Sequence, residues 1–177
     1  MIETERLILR GWRDADRAPF HAMGNDPRVM AHIGPHQPRA ETDAAIDRQN
    51  ALLAGLGHCF WAIERRADGA FLGFCGIKPG PDGTRIAGEP EIGWRLAREY
   101  WGQGYACEAA RACLDWGAAN LPSDTIWSIT VPGNTRSWGL MERLGMTRRA
   151  DLDFDHPAVP DGSPLKRHIV YRAGRPA

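Results

Sequence analysis

No excess of charge of either sign marks this chain: 22 lysines and arginines balance 22 aspartates and glutamates over 177 residues. A neutral surface carries no electrostatic footprint for nucleic acid or an anionic membrane, so neither is expected as a partner. Long apolar runs are missing too. None approaches the roughly 18 residues of a membrane span, and residues 1–6 (MIETER) are charged where a secretory leader turns apolar. Cysteine is scarce. Cys59, Cys75, Cys107 and Cys113 form no C-x-x-C pair and have no histidine at zinc-finger spacing, which excludes a redox motif and a structural metal. They read as reduced thiols of a cytoplasmic protein, Cys59 and Cys75 as small buried hydrophobes in apolar runs. Glycine and proline make up about 19% of the chain, short of the roughly 25–30% of low-complexity sequence. The length suits one domain, residues 1–177, with a core that needs no staples.

What is present is a change of period along the chain. Residues 4–10 read as a strand, and residues 14–23 as a helix that Pro19 shortens or kinks. After Pro27, Gly34, Pro35 and Pro38, apolar positions at helical spacing run to Leu56. Residues 59–66, 71–78 and 89–96 are β-prone and separated by turn signals, Asp68-Gly69 and residues 79–83, which predicts an antiparallel meander. Residues 105–119 carry Ala106, Ala109, Ala110, Cys113 and Gly117 on one small-residue face, with Glu108, Arg111 and Asp115 expected toward solvent. Small residues let a helix approach a sheet closely, so residues 125–131 should run parallel to residues 89–96 through a right-handed crossover. Asn134 is placed to cap a helix ending at Leu144 with Gly145 beyond it; strands are expected at residues 146–152 and 166–172.

The most informative stretch is Glu91-Ile92-Gly93-Trp94-Arg95-Leu96 followed by Trp101-Gly102-Gln103-Gly104-Tyr105-Ala106. A glycine turn feeding a helix start presents open N–H groups and the positive end of a dipole, which suits a pyrophosphate; close helix–sheet packing explains the same glycines. Tyr105-Ala106 replace the Lys-Ser/Thr of a nucleoside triphosphate loop. Cys107 stands where a dinucleotide fingerprint needs its third glycine, and three antiparallel strands precede it.

These segments, with residues 4–7, 134–146 and 168–171, resemble the GNAT N-acetyltransferases, in particular the ribosomal-protein N-terminal (RimJ/RimL-like) branch. The resemblance implies an α+β fold with a mixed, mostly antiparallel central sheet, splayed between two parallel strands and flanked by helices. It implies acetyl-CoA as the acetyl donor, without a metal, and direct transfer to a primary amine in a ternary complex. The acceptor would be a protein N-terminal α-amine or a small-molecule amine. The family's loop pattern Q/R-x-x-G-x-G/A falls on Trp101, Gly102, Gln103, Gly104, Tyr105 and Ala106, with Trp101 departing at the first position. By resemblance the backbone of residues 101–107, Cys107 included, holds the pyrophosphate, and strand N–H groups near Trp94 polarise the thioester carbonyl.

Asn134 and Ser137 match a second cofactor contact of the family, with a plain helix cap as the other reading of Asn134. Met141 stands where many relatives carry a tyrosine that protonates the departing thiolate, which leaves Ser137 or water for that role. Glu91 resembles a strand glutamate used as general base; a surface carboxylate paired with arginine is the alternative, and Glu89 the second choice. His156 and His168 are candidates for the acceptor side or bystanders. A non-catalytic acyl-CoA sensor fits the same cofactor stretch, and Trp12, Trp61 and Trp138 suit either a core or a homodimer face.

Overall fold

The computed structural model describes residues 1–174. Its sheet begins with the short strands β1 (Ile2–Glu3) and β2 (Leu7–Arg10) and passes through the meander β3 (Phe60–Arg65), β4 (Phe71–Pro79) and β5 (Pro90–Leu96), all antiparallel. The Asp68-Gly69 turn closes the β3–β4 hairpin as its sequence predicts: Gly69 has φ +72°, and the Asp68 carboxylate takes the Ala70 N–H at 3.2 Å. β6 (Thr125–Thr130) then joins β5 in parallel at a single pair, Glu91 and Trp127, and β9 (Arg167–Gly174) continues antiparallel on its far side.

The two faces of this sheet are covered differently. On one lies α4 (Tyr105–Asn120), the crossover helix, whose Ala109, Ala110, Cys113 and Gly117 are buried against Trp61, Ile63, Cys75, Ile77 and Ile92. A Cβ at Gly117 would stand 2.6 Å from Ile126 Cδ1 and 2.7 Å from Ile77 Cδ1, so a larger residue would require both isoleucines to move. On the other face lie α1 (Arg17–Gly24), α2 (Pro27–Met30) and α3 (Arg39–Leu56), which bury Phe20, Met23, Val29 and Ile46 with Trp12, Ala62 and Phe74. Trp12 and Trp61 are therefore core residues, and the Trp138 indole is committed to the Pro132 carbonyl at 3.0 Å.

Three expectations need correction. The predicted helix over residues 14–23 opens as a 3-10 turn, Asp14–Asp16, because the buried Asp16 carboxylate takes the Arg13 N–H (2.8 Å) and both terminal nitrogens of Arg10 (2.7 and 2.9 Å). The strand predicted over residues 146–152 shrinks to β7 (Thr147–Arg148), followed by a 3-10 turn and β8 (Phe154–Asp155). Arg148 and Arg149 each pair with a nearby aspartate, Asp153 and Asp151, and these local bonds displace the ladder. Glu108 does not face solvent. It receives the Thr4 hydroxyl (2.6 Å), the Arg6 N–H (2.9 Å) and the Arg6 guanidinium (2.6 Å), latching the N-terminal segment to the first turn of α4.

Candidate active site

The chain reverses after Leu96 through a 3-10 turn, Arg98–Tyr100, and enters α4 through two glycines in the left-handed region, Gly102 (φ +75°) and Gly104 (φ +84°). This geometry leaves the backbone N–H groups of residues 102–107 without an acceptor among the described residues. Six consecutive open donors at the positive end of a 16-residue helix form an anion cradle. The expectation that the cradle begins at Trp101 is corrected, because the Trp101 N–H is used by the Arg98 carbonyl (3.1 Å). Its indole N–H holds the Leu96 carbonyl at 2.8 Å, and the Arg136 guanidinium lies over its ring at 4.8 Å. Trp101 thus pins the loop to the end of β5 and braces it against the next helix.

Arg6 flanks the same turn. It donates to the Gln103 carbonyl at 3.0 Å and stacks over Tyr105 at 4.6 Å. Burial would push the Glu108 carboxyl up, but the Thr4 hydroxyl, the Arg6 N–H and the Arg6 guanidinium outweigh it and hold it below the ordinary range.

Beside the cradle, β5 and β6 part. The bonds from Gly80 N–H to Glu89 O (2.8 Å) and from Ala97 N–H to Leu72 O (2.9 Å) bracket the β4–β5 ladder. With the register Lys78–Glu91, Gly76–Gly93 and Phe74–Arg95, alternation turns the amides of Glu91, Gly93 and Arg95 toward β4. Those of Ile92, Trp94 and Leu96 turn toward β6. Because β6 pairs with β5 only at Glu91, the Trp94 N–H faces the opening.

Across that opening, α5 (Thr135–Arg143) starts at Asn134, whose side chain caps nothing; its amide donates to Thr130 Oγ1 at 3.1 Å. The capping expectation therefore holds for position and fails for the side chain. Ser137 is half-buried, and its hydroxyl has no partner among the described residues. Met141 is buried with Leu140 and Leu144, so at this position the chain has core in place of an acid. Gly133 brings the β6–α5 turn up to His32, whose ring stands 3.4 Å from where a Cβ would lie. The segment after α2 thus meets the turn that leads into α5.

Glu91 lies on the helical-layer face of β5, 8% exposed, with Lys78 Nζ at 2.7 Å. It is not a surface carboxylate, and its partner is lysine instead of arginine. Burial pushes its carboxyl up, and Lys78 offsets this only in part. Glu89 is exposed on the turn before β5. His168 on β9 and His156, just after β8, meet each other beside Phe154, 4.8 Å between ring centres, and neither is on β5. Of the cysteines, Cys107 is half-buried in the first turn of α4, while burial pushes the Cys59 thiol up to about 12. Among the described residues no His, Cys, Asp or Glu cluster suits a metal ion, and no helix is long and apolar enough to cross a membrane. Two surface hollows, about 380 Å³ beside Arg111, Leu114 and Leu144 and about 530 Å³ beside Arg85, Asp153 and Arg167, lie away from the opening.

Several contributors escape a reading of the sequence. Lys78 was legible in principle, since the turn between β4 and β5 sets its register against Glu91. Arg6 and Arg136 arrive from 97 and about 35 residues away and carry no local signal.

Comparison with known proteins agrees with this architecture. YkkB of Bacillus subtilis is 36% identical over 148 residues, covering 82% of this chain and 84% of that one. The acetyltransferase of Agrobacterium tumefaciens superposes with a TM-score of 0.78 at 31% identity, over 97% of this chain and 92% of that one. A spermidine N-acetyltransferase of Vibrio cholerae, solved with CoA and spermine, shares the fold at 16% identity, with a TM-score of 0.74 over 97% of both chains. Residues 6–147, a span that takes in the meander, the glycine turn and both parting strands, match the acetyltransferase (GNAT) domain, so the chain belongs to that family and is an acyltransferase.

Proposed function

We propose that this enzyme transfers the acetyl group of acetyl-CoA to a primary amine by direct attack in a ternary complex. The observation that carries the reading is the run of six open N–H groups, residues 102–107, set beside the point where β5 leaves β6. Acetyl-CoA would supply the activated acetyl thioester. Residues 102–107 fit its pyrophosphate through backbone donors alone, which explains why a tryptophan is tolerated at position 101. The Trp94 N–H is aimed to polarise the thioester carbonyl, a preorganised dipole that need not reorient as charge grows there.

Glu91 serves as the base that takes the ammonium proton, through water. Burial raises its pKa toward the amine's, and the adjacent Lys78 charge favours its ionised form. Once the amine nitrogen has bonded to the carbonyl carbon and the carbon–sulfur bond breaks, Ser137 or water returns a proton to the sulfur. Asn134 and Ser137 line the cofactor from α5. We place the chain near the ribosomal-protein N-terminal acetyltransferases and take the full chain as one cytoplasmic catalytic unit.

The deciding experiment incubates the protein with acetyl-CoA and a panel of peptides, polyamines and amino acid derivatives and measures released thiol. Amine-dependent thiol release with a matching acetylated product is the expected result. CoA binding with no release from any amine would instead favour an acyl-CoA sensor.

A further inference from the structure

Arg95 is a charged group of β5 that the proposed reaction does not use. It stands on the same face of β5 as Glu91, and its guanidinium lies over Phe74 at 5.3 Å. The nearby cations of this layer are paired. Lys78 holds Glu91, and Arg10 and Arg13 share Asp16 and Glu64. Among the described residues Arg95 has no carboxylate partner, and its Nε is buried with no hydrogen-bond partner. Its terminal nitrogens have no hydrogen-bond partner among the described residues either and are not among the fully buried unpartnered atoms. The guanidinium thus lies against an apolar ring with its Nε shut in and unpartnered, on the same face of the sheet as Glu91. Desolvation alone pulls its pKa down to about 10, still far enough above neutrality to keep the charge.

An unpartnered buried cation is costly to maintain, and a fork of parallel N–H donors matches an oxyanion in shape as well as charge. Aromatic rings flank it. Phe60 stacks on Phe74 at 5.3 Å and lays its ring edge over Gly93, so two rings separate the Lys78–Glu91 pair from Arg95. We infer that Arg95 receives an oxyanion carried by the acceptor itself, so that the preferred substrates are amines bearing a carboxylate or phosphate and not polycations. Strand spacing sets the reach. Arg95 lies two residues beyond Gly93 and four beyond Glu91, about 7 to 13 Å between Cα atoms along β5, a span that the long arginine and glutamate side chains shorten, so probes of graded length report the separation of amine and acid.

The inference rests on the acetyl-transfer reading, and its test is a binding measurement so that the two fail separately. The probes are product-like acids from N-acetylglycine to N-acetylaminocaproate, their carboxamides, and N-acetylethanolamine with and without an O-phosphate, each titrated into the CoA-saturated protein. The wild type should hold at least one acid about 10- to 100-fold more tightly than its neutral counterpart, the range of a charge-assisted hydrogen-bonded pair. Whether the carboxylates or the phosphate ester show the larger ratio identifies the oxyanion.

Arg95→Gln should abolish the preference without weakening CoA, and Arg95→Lys should keep part of it. Arg95→Met should raise the Tm of the unliganded protein, because it removes a lone buried charge. No acid preference in the wild type overturns the inference, even if amines release thiol. So does a preference that Arg95→Gln leaves intact, a loss confined to CoA affinity, or a lower Tm of Arg95→Met with the preference retained. An Arg95-dependent acid preference in a protein that releases no thiol would uphold the site and defeat only the transfer reading.

Discussion

Glu91 shows how one carboxylate is tuned by what the fold packs around it. Ile92 and Leu96 face the α4 side of the sheet, so alternation places Glu91 among the helices of the other layer, where burial raises its pKa above 4.5 and Lys78 pulls it back. A base works when ionised, so activity should fall as pH drops through this raised value, and the acid limb of the kcat/KM profile should lie above that of an ordinary carboxylate. Lys78→Met removes the opposing charge and should move that limb to still higher pH. Glu91→Gln should lower kcat/KM by about 10²- to 10⁴-fold for a lysine-like amine and far less for an α-amine. At neutral pH an amine of pKa about 7.7–8.0 is roughly a tenth neutral already, whereas one near 10.4 is almost wholly protonated. Profiles for two amines of different pKa check this; equal losses for both at every pH would reject the role. The position of Glu91 was legible from the sequence. Its burial was not, because burial depends on helices some 50 residues away in sequence.

At the scale of elements, the glycine turn was read correctly because its requirement is local. Only residues that accept positive φ can carry the chain from β5 into α4, and positions 102 and 104 both have it. Gly104→Asn and Gly104→Asp test what the turn is for. Both side chains are of one size and tolerate this backbone region better than most, so strain is matched, and only aspartate places a negative charge on the anion cradle. At acetyl-CoA one hundred times its Kd, the wild type should gain about 2.7 kcal/mol, on the order of 5–10 °C in Tm. Gly104→Asn should retain part of the shift and Gly104→Asp none. Equal shifts in the two variants would remove the pyrophosphate from this turn. The elements misread from the sequence share a different cause. The 3-10 opening before α1 and the shortened β7 are set by side-chain ion pairs, Asp16 with Arg10 and Asp153 with Arg148, and hydrophobic period carries no record of these.

For the molecule as a whole, the expectation of parallel strands around a crossover helix followed from connection rules, and the parting of those strands, known beforehand only by resemblance, appears as their single paired position. What no pattern revealed is how the far strands close the sheet. β9 carries β8 on one part of its length and β7 on another, and Phe154 joins the small core of Ile86 and Val170 while its ring meets those of His156 and His168. Desolvation lowers the pKa of both histidines below 6.5, with Lys166 opposing a proton on His156, and His156 one on His168. Below pH 6.5 the unfolded chain therefore binds protons that the folded one resists. The stability these rings contribute is complete above 6.5 and is lost as pH falls toward their folded values. Glu91 acts in the opposite sense: with its folded pKa raised, its contribution is present below 4.5 and lost as pH rises through the folded value. The two effects separate in a variant. His168→Phe keeps a ring against Phe154 but cannot titrate, so its Tm should decline less than that of the wild type between pH 7 and pH 5, whatever the offset at neutral pH. Calorimetric scans across that range decide the matter: parallel declines for the two proteins would mean that the histidine pair is not a source of the acid sensitivity.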